Sequence, residues 1–349
     1  LKERTLCSLI SAYQTMLPTS LKIDNEKYDY SIYNNYVVIK DEEACKYFVL
    51  NNKKAKKQVE FVNRLLTEKR ISKKEVSTQV LNSLLEKDLV TIEKENVYRI
   101  NPNVNKTEEK ILTDEQTKAM EEVKNSFDIF NVFLLHGITG SGKTEVYIKL
   151  VSEVLKNGKT VIMLVPEITL TTQIVKRFYE CFGDNVAIFH SGLSDGEKAD
   201  EYNKILRDEA KIVVGTRSSI FVPLKNIGLI IIDEEHTSSY KQENNPRYHA
   251  VDMAIFRAKY NNCPIVLGSA TPRLETMARA KKGVYKYLSL KNRVGNARIP
   301  KIKLVDLASS YKNGDTILST ELQVKIMKTL ERNEQVMLLL NRRGYSTII

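Results

Sequence analysis

The segment Gly137-Ile138-Thr139-Gly140-Ser141-Gly142-Lys143-Thr144 constrains the fold more than any other stretch of this 349-residue chain. It fits the pattern G-x-x-x-x-G-K-[ST] and follows the apolar run Val132-Phe133-Leu134-Leu135. A buried strand therefore feeds a glycine loop, and the loop feeds a helix. In such a loop Gly137, Gly140, Ser141 and Gly142 turn backbone N–H groups inward, where they cradle phosphate oxygens at a helix N-terminus. Lys143 reaches the β- and γ-phosphates and the hydroxyl of Thr144 ligates Mg²⁺, with Glu145 next in the first helical turn. The pattern predicts a nucleoside triphosphate site.

The residues around this loop predict an α/β sheet. From Ile111 to about Leu290, apolar runs alternate with helical patterns: Val132–Leu135, Thr160–Val165, Val186–Phe189, Lys211–Val214, Leu229–Ile232 and Pro264–Leu267. They are apolar throughout rather than at every second position, as parallel strands buried on both faces must be. A doubly wound parallel sheet is the expected fold.

Upstream, Leu6, Leu9, Ile10, Tyr13 and Leu17 form a helical pattern that stops at Pro18, and Tyr30–Lys40 is β-prone. Val59, Val62, Leu65 and Leu66 give one helix face. Ser72 caps a short helix, and Ser77 starts another that carries Val80, Leu81, Leu84 and Leu85. Two β runs, Leu89–Ile92 and Val97–Ile100, flank a turn at Glu93–Asn96, so a hairpin is expected there. Three short helices and a hairpin outline a winged helix. Past the sheet, Ile302–Val305 and Val336–Leu340 read as β runs around a helix at Glu321–Arg332. The expected divisions are 1–50, a connector whose fold the pattern leaves unassigned; 51–105, the winged helix; 106–290, the ATP-binding α/β sheet; and 291–349, a linker and the start of a second α/β unit.

Charge and cysteine content narrow the function classes. The net charge is +11, and residues 236–349 hold 20 Lys and Arg against 8 Asp and Glu, whereas residues 111–235 hold 14 against 19. Excess positive charge in one third points to a polyanionic partner. Cys7, Cys45, Cys181 and Cys263 are too far apart for a C-x-x-C motif, so reduced thiols in a cytosolic protein are expected. No apolar run is long enough to span a bilayer. The chain begins at Leu1 without a signal peptide and is expected to be a piece of something longer.

Further motifs carry chemistry. Leu229–Ile232 ends in Asp233-Glu234-Glu235-His236, acidic groups placed at the end of a neighbouring strand, where ligands bind in such sheets. Asp233 is the candidate holder of Mg²⁺, and Glu234 the candidate general base or orienter of the attacking water. Tyr240-Lys241-Gln242-Glu243-Asn244-Asn245-Pro246-Arg247-Tyr248-His249 combines aromatic rings and cations in a polar segment. It suits a loop that stacks on and grips unpaired bases.

The phosphate loop, D-E-E-H and Gly268-Ser269-Ala270-Thr271-Pro272, in that order on one sheet, resemble the first RecA-like lobe of a superfamily 2 helicase. Leu112-Thr113-Asp114-Glu115-Gln116 is similar to the adenine-reading segment of that group, with Gln116 as base reader. Val165-Pro166-Glu167-Ile168-Thr169-Leu170 and Val214-Gly215-Thr216-Arg217-Ser218 resemble the motifs that track the nucleic-acid backbone, which makes Thr169, Thr216 and Arg217 candidate phosphate contacts. His190-Ser191-Gly192 matches a further segment. The strings D-E-E-H-x-x-S-Y-K-Q…R-Y-H-A, G-I-T-G-S-G-K-T-E-V-Y and L-N-R-R-G-Y resemble more narrowly the PriA family of replication-restart helicases.

That resemblance implies an ATP- and Mg²⁺-dependent 3′→5′ DNA helicase acting on stalled or repaired forks in the bacterial cytoplasm, associated with the nucleoid. Its partners would be single-stranded and forked DNA, primosome proteins and single-stranded DNA-binding protein, with no membrane role. It also implies that Tyr240, Lys241, Arg247, Tyr248, His249, Ser269 and Thr271 couple DNA to hydrolysis. The family's zinc-binding cysteines would follow Asn341–Tyr345, so Zn²⁺ is expected only downstream of this chain. With the arginine finger of a second lobe also downstream, the chain alone is expected to bind ATP–Mg²⁺ weakly and to be nearly inert as an enzyme. Two readings stay open beside this one. One is another superfamily 2 translocase, RecG-like or a restriction motor. The other is a non-catalytic winged-helix DNA-binding protein with a vestigial nucleotide site.

Overall fold

The computed structural model describes residues 1–17, 32–52, 54–100, 107, 110–167, 173–295, 301–306 and 318–339. The chain forms two units, Leu1–Asn296 and Ala297–Ile349.

The first unit begins with helices α1 (Lys2–Thr5) and α2 (Leu9–Met16), the latter capped by Ser8. A three-stranded antiparallel sheet follows, built from β1 (Ile32–Ile39), β2 (Arg70–Ser72) and β3 (Val90–Val97) in the order β2-β1-β3. Helices α3 (Glu42–Asn51), α4 (Lys56–Glu68) and α5 (Thr78–Glu86) pack on it. Val37, Cys45, Phe48, Val62, Leu65 and Leu84 share one buried core. That core therefore reaches back to β1 and α3, ahead of residue 51. The helices from Ala55, Ser72 and Ser77 form as expected, the middle one as a single 3₁₀ turn, Lys73–Glu75.

The expected hairpin does not form. Residues 93–96 continue one straight strand, β3, and all of it pairs with β1, from Ile32 opposite Val97 to Ile39 opposite Val90. An upstream partner more than fifty residues away outcompetes the local turn, because it satisfies the whole row of backbone groups.

The larger part of the unit is a seven-stranded, all-parallel sheet. Its strands are β4 (Val132–Gly137), β5 (Thr160–Leu164), β6 (Val186–Phe189), β7 (Ile212–Gly215), β8 (Ile227–Ile232), β9 (Ile265–Ser269) and β10 (Lys286–Leu290), in the order β10-β4-β9-β8-β5-β7-β6. All six expected strands are present, and β10 is an addition at the edge. Alternate side chains leave each strand on opposite faces. Phe133 and Leu135 join the core under α6 (Asp114–Lys124), α7 (Lys143–Lys156) and α8 (Gln173–Phe182). Val132 and Leu134 join the other, under α10 (Ala250–Tyr260) and α11 (Leu274–Lys281). Helix α9 (Asp195–Leu206) opens with a Ser194–Glu197 capping box and contributes Ile205 to this second core.

Arg99 joins the small sheet to this larger body. Its backbone N–H and guanidinium both donate to the buried carboxylate of Asp200 on α9, at 3.0 and 2.7 Å.

In the second unit, α12 (Thr320–Glu331) is capped by Ser319, as the pattern at Glu321–Arg332 predicts. Neither expected β run there is a strand. Residues 302–305 are exposed and in no strand, as are Met337, Leu338 and Leu339, and residue 340 lies outside the described residues. Among the described residues of this unit no second strand satisfies their backbone groups, and a lone apolar run gains nothing by extending. Cys45 and Cys263 are buried, Cys7 and Cys181 half-buried, and none of the four forms a disulfide.

Candidate nucleotide site and its neighbouring loop

Parallel strands bring their C-terminal ends to one edge, and the candidate residues collect there. Gly137 closes β4. Gly140 and Gly142 then take φ of +82° and +79°, the left-handed conformation that a glycine adopts without strain. No side chain caps α7 at Gly142, so its first N–H groups face outward, as an anion site requires. Gly142 is also fixed by space. A Cβ there would stand 2.3 Å from the side-chain nitrogen of Gln116.

Gln116 is buried beneath the loop. The T-D-E-Q sequence makes it the third residue of α6, and its carbonyl closes the capping box on the N–H of Thr113 at 2.9 Å. Its amide donates to Ser141 O at 2.8 Å, so it braces the loop from below. The hydroxyl of Ser141 is buried with no partner, an orphan that phosphate oxygens would satisfy. Lys143 donates to Gly137 O at 3.0 Å and stands 3.8 Å from Glu234. The loop's left-handed glycines, outward N–H groups, lysine and orphan hydroxyl fit a triphosphate, with Thr144 and Asp233 on hand for Mg²⁺. Glu145 does not join them. Its carboxylate pairs with Arg177 at 3.2 Å and with Lys110 at 3.3 Å, because a first-turn side chain on that face points at α8 rather than along the loop.

Asp233 and Glu234 follow β8. Asp233 is buried, and burial with the neighbouring Glu234 charge raises its carboxyl to about 6, although the Tyr147 hydroxyl and Lys143 oppose the shift. Glu234 takes a left-handed φ of +46°, a strained conformation for a non-glycine residue and typical of functional sites. It faces Lys143 on one side and His236 Nδ1 at 3.5 Å on the other. His236 Nδ1 also meets the Ser269 hydroxyl at 2.9 Å, and that hydroxyl accepts the N–H of Thr271 at 3.0 Å. Thus the ends of β8 and β9 form one polar chain from Glu234 to Thr271. Glu235 faces away and is fully buried, accepting from Arg273 N at 2.8 Å and the Thr276 hydroxyl at 3.1 Å.

The tyrosine segment differs from expectation. Tyr240 and Tyr248 are buried and cannot stack on bases. Tyr240 donates its hydroxyl to Asp233 O at 2.6 Å, and Tyr248 packs edge-on against Phe221 with ring centroids 5.2 Å apart. Both rings sit in the core shared with Ile232 and Leu267, which lowers their free energy by removing apolar area from water. His249 caps α10 through its Nδ1, which accepts the N–H of Val251, and its Nε2 meets Arg273 at 3.1 Å. Burial and the Arg273 charge hold its pKa below the usual value. Lys241 and Arg247 are the exposed cations of the segment, and Arg247 Nε donates to Glu243 O at 2.9 Å.

Thr216 and Arg217 follow β7 at the same sheet edge. Thr216 is buried, and Arg217 donates to Ser239 O at 3.3 Å and Lys241 O at 2.9 Å, tying this strand end to the tyrosine segment. A cavity of about 420 Å³ opens beside them, lined among others by Glu167, His190, Lys198, Thr216, Arg217 and Gln242. Thr169 lies outside the described residues, as do Ile168 and Leu170. Sequence reasoning missed Tyr147, Glu235 and Arg273. Tyr147 closes the string G-I-T-G-S-G-K-T-E-V-Y and Glu235 lies within D-E-E-H, so those strings carried a signal for both, whereas Arg273 lies in no such string.

Comparison with known proteins places this arrangement. A family model described as "Type III restriction enzyme, res subunit" matches residues 109–274. The Replication restart protein PriA of Bacillus subtilis (strain 168) is 51% identical over 283 residues, 79% of this chain and 35% of that protein. Its counterpart in Synechocystis is 42% identical over 78% of this chain and 34% of the relative. That of Treponema pallidum is 43% identical over 70% and 36%. The chain thus spans about a third of the length of the curated relatives it matches. No helix among the described residues is long and apolar enough to cross a membrane.

Proposed function

This chain belongs to the PriA family of replication restart proteins, and from that premise we propose that it carries the nucleotide-binding lobe of an ATP-driven 3′→5′ DNA helicase. The whole protein would act on stalled or repaired forks and initiate primosome assembly, in contact with primosome proteins and single-stranded DNA-binding protein in the cytoplasm. The observation that carries this reading is the approach of Lys143 to Glu234, 3.8 Å apart. It brings a phosphate-binding cation within reach of a carboxylate suited to orient water.

The roles divide among the residues as follows. The loop from Gly137 to Thr144 binds the triphosphate. Asp233 and Thr144 would hold Mg²⁺, which would supply charge neutralisation there. Glu234 orients water, and Gln116 shapes the loop and reads the base. Thr216, Arg217, Lys241 and Arg247 track the DNA backbone along the sheet edge, and Thr169, outside the described residues, is assigned the same role. Tyr240, Tyr248, His249, Ser269 and the exposed Thr271 couple that edge to the nucleotide. The burial of the two tyrosines favours positioning over base stacking. We assign the small β2-β1-β3 domain, with its three helices, as a winged-helix module whose sheet borrows β1 from upstream. Its core supports a boundary near residue 32.

The restriction-enzyme family model matches the motor region, which a restriction translocase would share. The 51% identity to a replication restart protein favours the restart reading. The test is unwinding by the full-length protein on forked and plain duplex DNA. Preference for the fork, lost with Lys143→Ala, supports the proposal. Equal action on both substrates, or full activity of the variant, overturns it.

A further inference from the structure

The connector that leaves β10 is bound to the phosphate loop through its backbone. Ile138 N–H donates to Leu290 O at 3.3 Å, and Val294 N–H donates to Gly140 O at 3.0 Å. From the other side Glu115, in the first turn of α6, accepts the N–H groups of Lys291 and Asn292 at 3.0 and 3.3 Å. It also accepts the Asn292 amide at 2.7 Å. Residues 290–294 are thereby clamped between loop and helix, and Arg293 stands inside the clamp.

Arg293 lays its aliphatic stem over Gly140. Its Cγ and Cδ lie 3.8 Å from the position a Cβ would take on that glycine. Its Nε is buried without a hydrogen-bond partner, and among the described residues no carboxylate pairs with it. Other partly buried arginines of the chain are used. Arg257 donates to the carbonyls of Ile220, Val222 and Leu224, and Arg217 to those of Ser239 and Lys241. A second orphan lies on the same loop. Ser141 Oγ is buried and unpartnered, 2.5 Å from where a Gly137 Cβ would stand.

A desolvated guanidinium N–H without an acceptor is costly, and its planar fork matches phosphate, the anion that the adjoining loop is shaped to hold. We propose that Arg293 is a nucleotide-binding residue: its guanidinium bonds the phosphates of the nucleotide held by the loop, and the connector clamp presents it there. The proposal rests on reading the Gly137–Thr144 loop as a triphosphate site. It adds a cation that lies outside every motif of that loop, more than 140 residues downstream.

The test uses the 349-residue chain, with equilibrium binding of Mg²⁺–ATP and displacement by adenosine. Arg293→Ala should weaken ATP about tenfold or more, the usual effect of losing a charge-assisted contact, and leave adenosine unchanged. Arg293→Lys, which keeps the charge but not the fork, should fall between. Thermal denaturation without nucleotide should show Arg293→Ala no less stable than the parent, since an unpaired group is removed. ATP affinity within twofold of the parent, or an equal loss for adenosine, overturns the proposal. Lys143→Ala separates the two claims. If it binds ATP like the parent, or if the parent binds none, the triphosphate reading itself falls and the Arg293 proposal with it.

Discussion

The hydroxyl of Tyr147 donates to Oδ1 of Asp233 at 3.0 Å, linking the helix that starts at the phosphate loop to the carboxylate that ends β8. Both groups are buried. The contact crosses over β9, which lies between β4 and β8 in the sheet. It orients the carboxylate and opposes the burial that raises its pKa. Tyr147→Phe should therefore cost about 1.5–3 kcal/mol, the range for a hydrogen bond to a charged group. Denaturant titration at neutral pH measures it, and an unchanged midpoint would show that the hydroxyl does nothing for Asp233.

Gly268 gives that hydroxyl its room. A Cβ on Gly268 would stand 1.7 Å from the Tyr147 oxygen, too close for the tyrosine to stay. Gly268→Ala should displace the ring, break the bond to Asp233 and destabilise by a further ~1–3 kcal/mol of overpacking. Combined with Tyr147→Phe the two losses should not add, because one contact is shared. A double variant whose loss equals the sum would contradict this.

Asp233 makes stability depend on pH. Its carboxyl rises from 3.8 to about 6 on folding, so the neutral form is favoured in the native protein. That contribution is full below about pH 4 and is lost as pH rises through about 6. Asp233→Asn, neutral at every pH, should match the parent near pH 4 and exceed it by on the order of 2–3 kcal/mol above pH 7. Melting curves without Mg²⁺ or nucleotide, across that range, read the gap. A constant gap would remove the raised pKa from the account.

Tyr240 is a core residue with a polar end. Tyr240→Phe loses one hydrogen bond to Asp233 O and should cost about 1 kcal/mol, whereas Tyr240→Ala opens a cavity and should cost ~3–5 kcal/mol. If Tyr240→Ala kept full stability and lost only DNA affinity, the ring would be a stacking platform after all.

The sheet was legible because burial on both faces writes itself as continuous apolar runs, as in Leu229–Ile232. Strand β10 was not, because Lys286-Tyr287-Leu288-Ser289-Leu290 mixes polar and apolar residues without a regular period and lies at an edge, half exposed. The false hairpin at Glu93–Asn96 has the same origin. Local turn chemistry was visible, while the distant partner β1 was not. For the site, the phosphate loop and Asp233-Glu234 carry their spacing in the sequence. The tyrosine segment does not carry its burial. Its neighbours are polar, and the atoms that cover Tyr240 and Tyr248 come from Phe221 and Asp233, outside the segment. Arg293 is hidden for the same reason, since only the clamp by Glu115 and Gly140 brings it to the loop.

The central claim is that the loop from Gly137 to Thr144 is a working Mg²⁺–ATP site whose lysine stands beside Glu234. Calorimetric titration of Mg²⁺–ATP into this chain and its Lys143→Ala variant tests it most directly. The account predicts saturable binding by the parent and a loss of at least about tenfold in the variant. Equal affinities for parent and variant, or no binding by either, would contradict it.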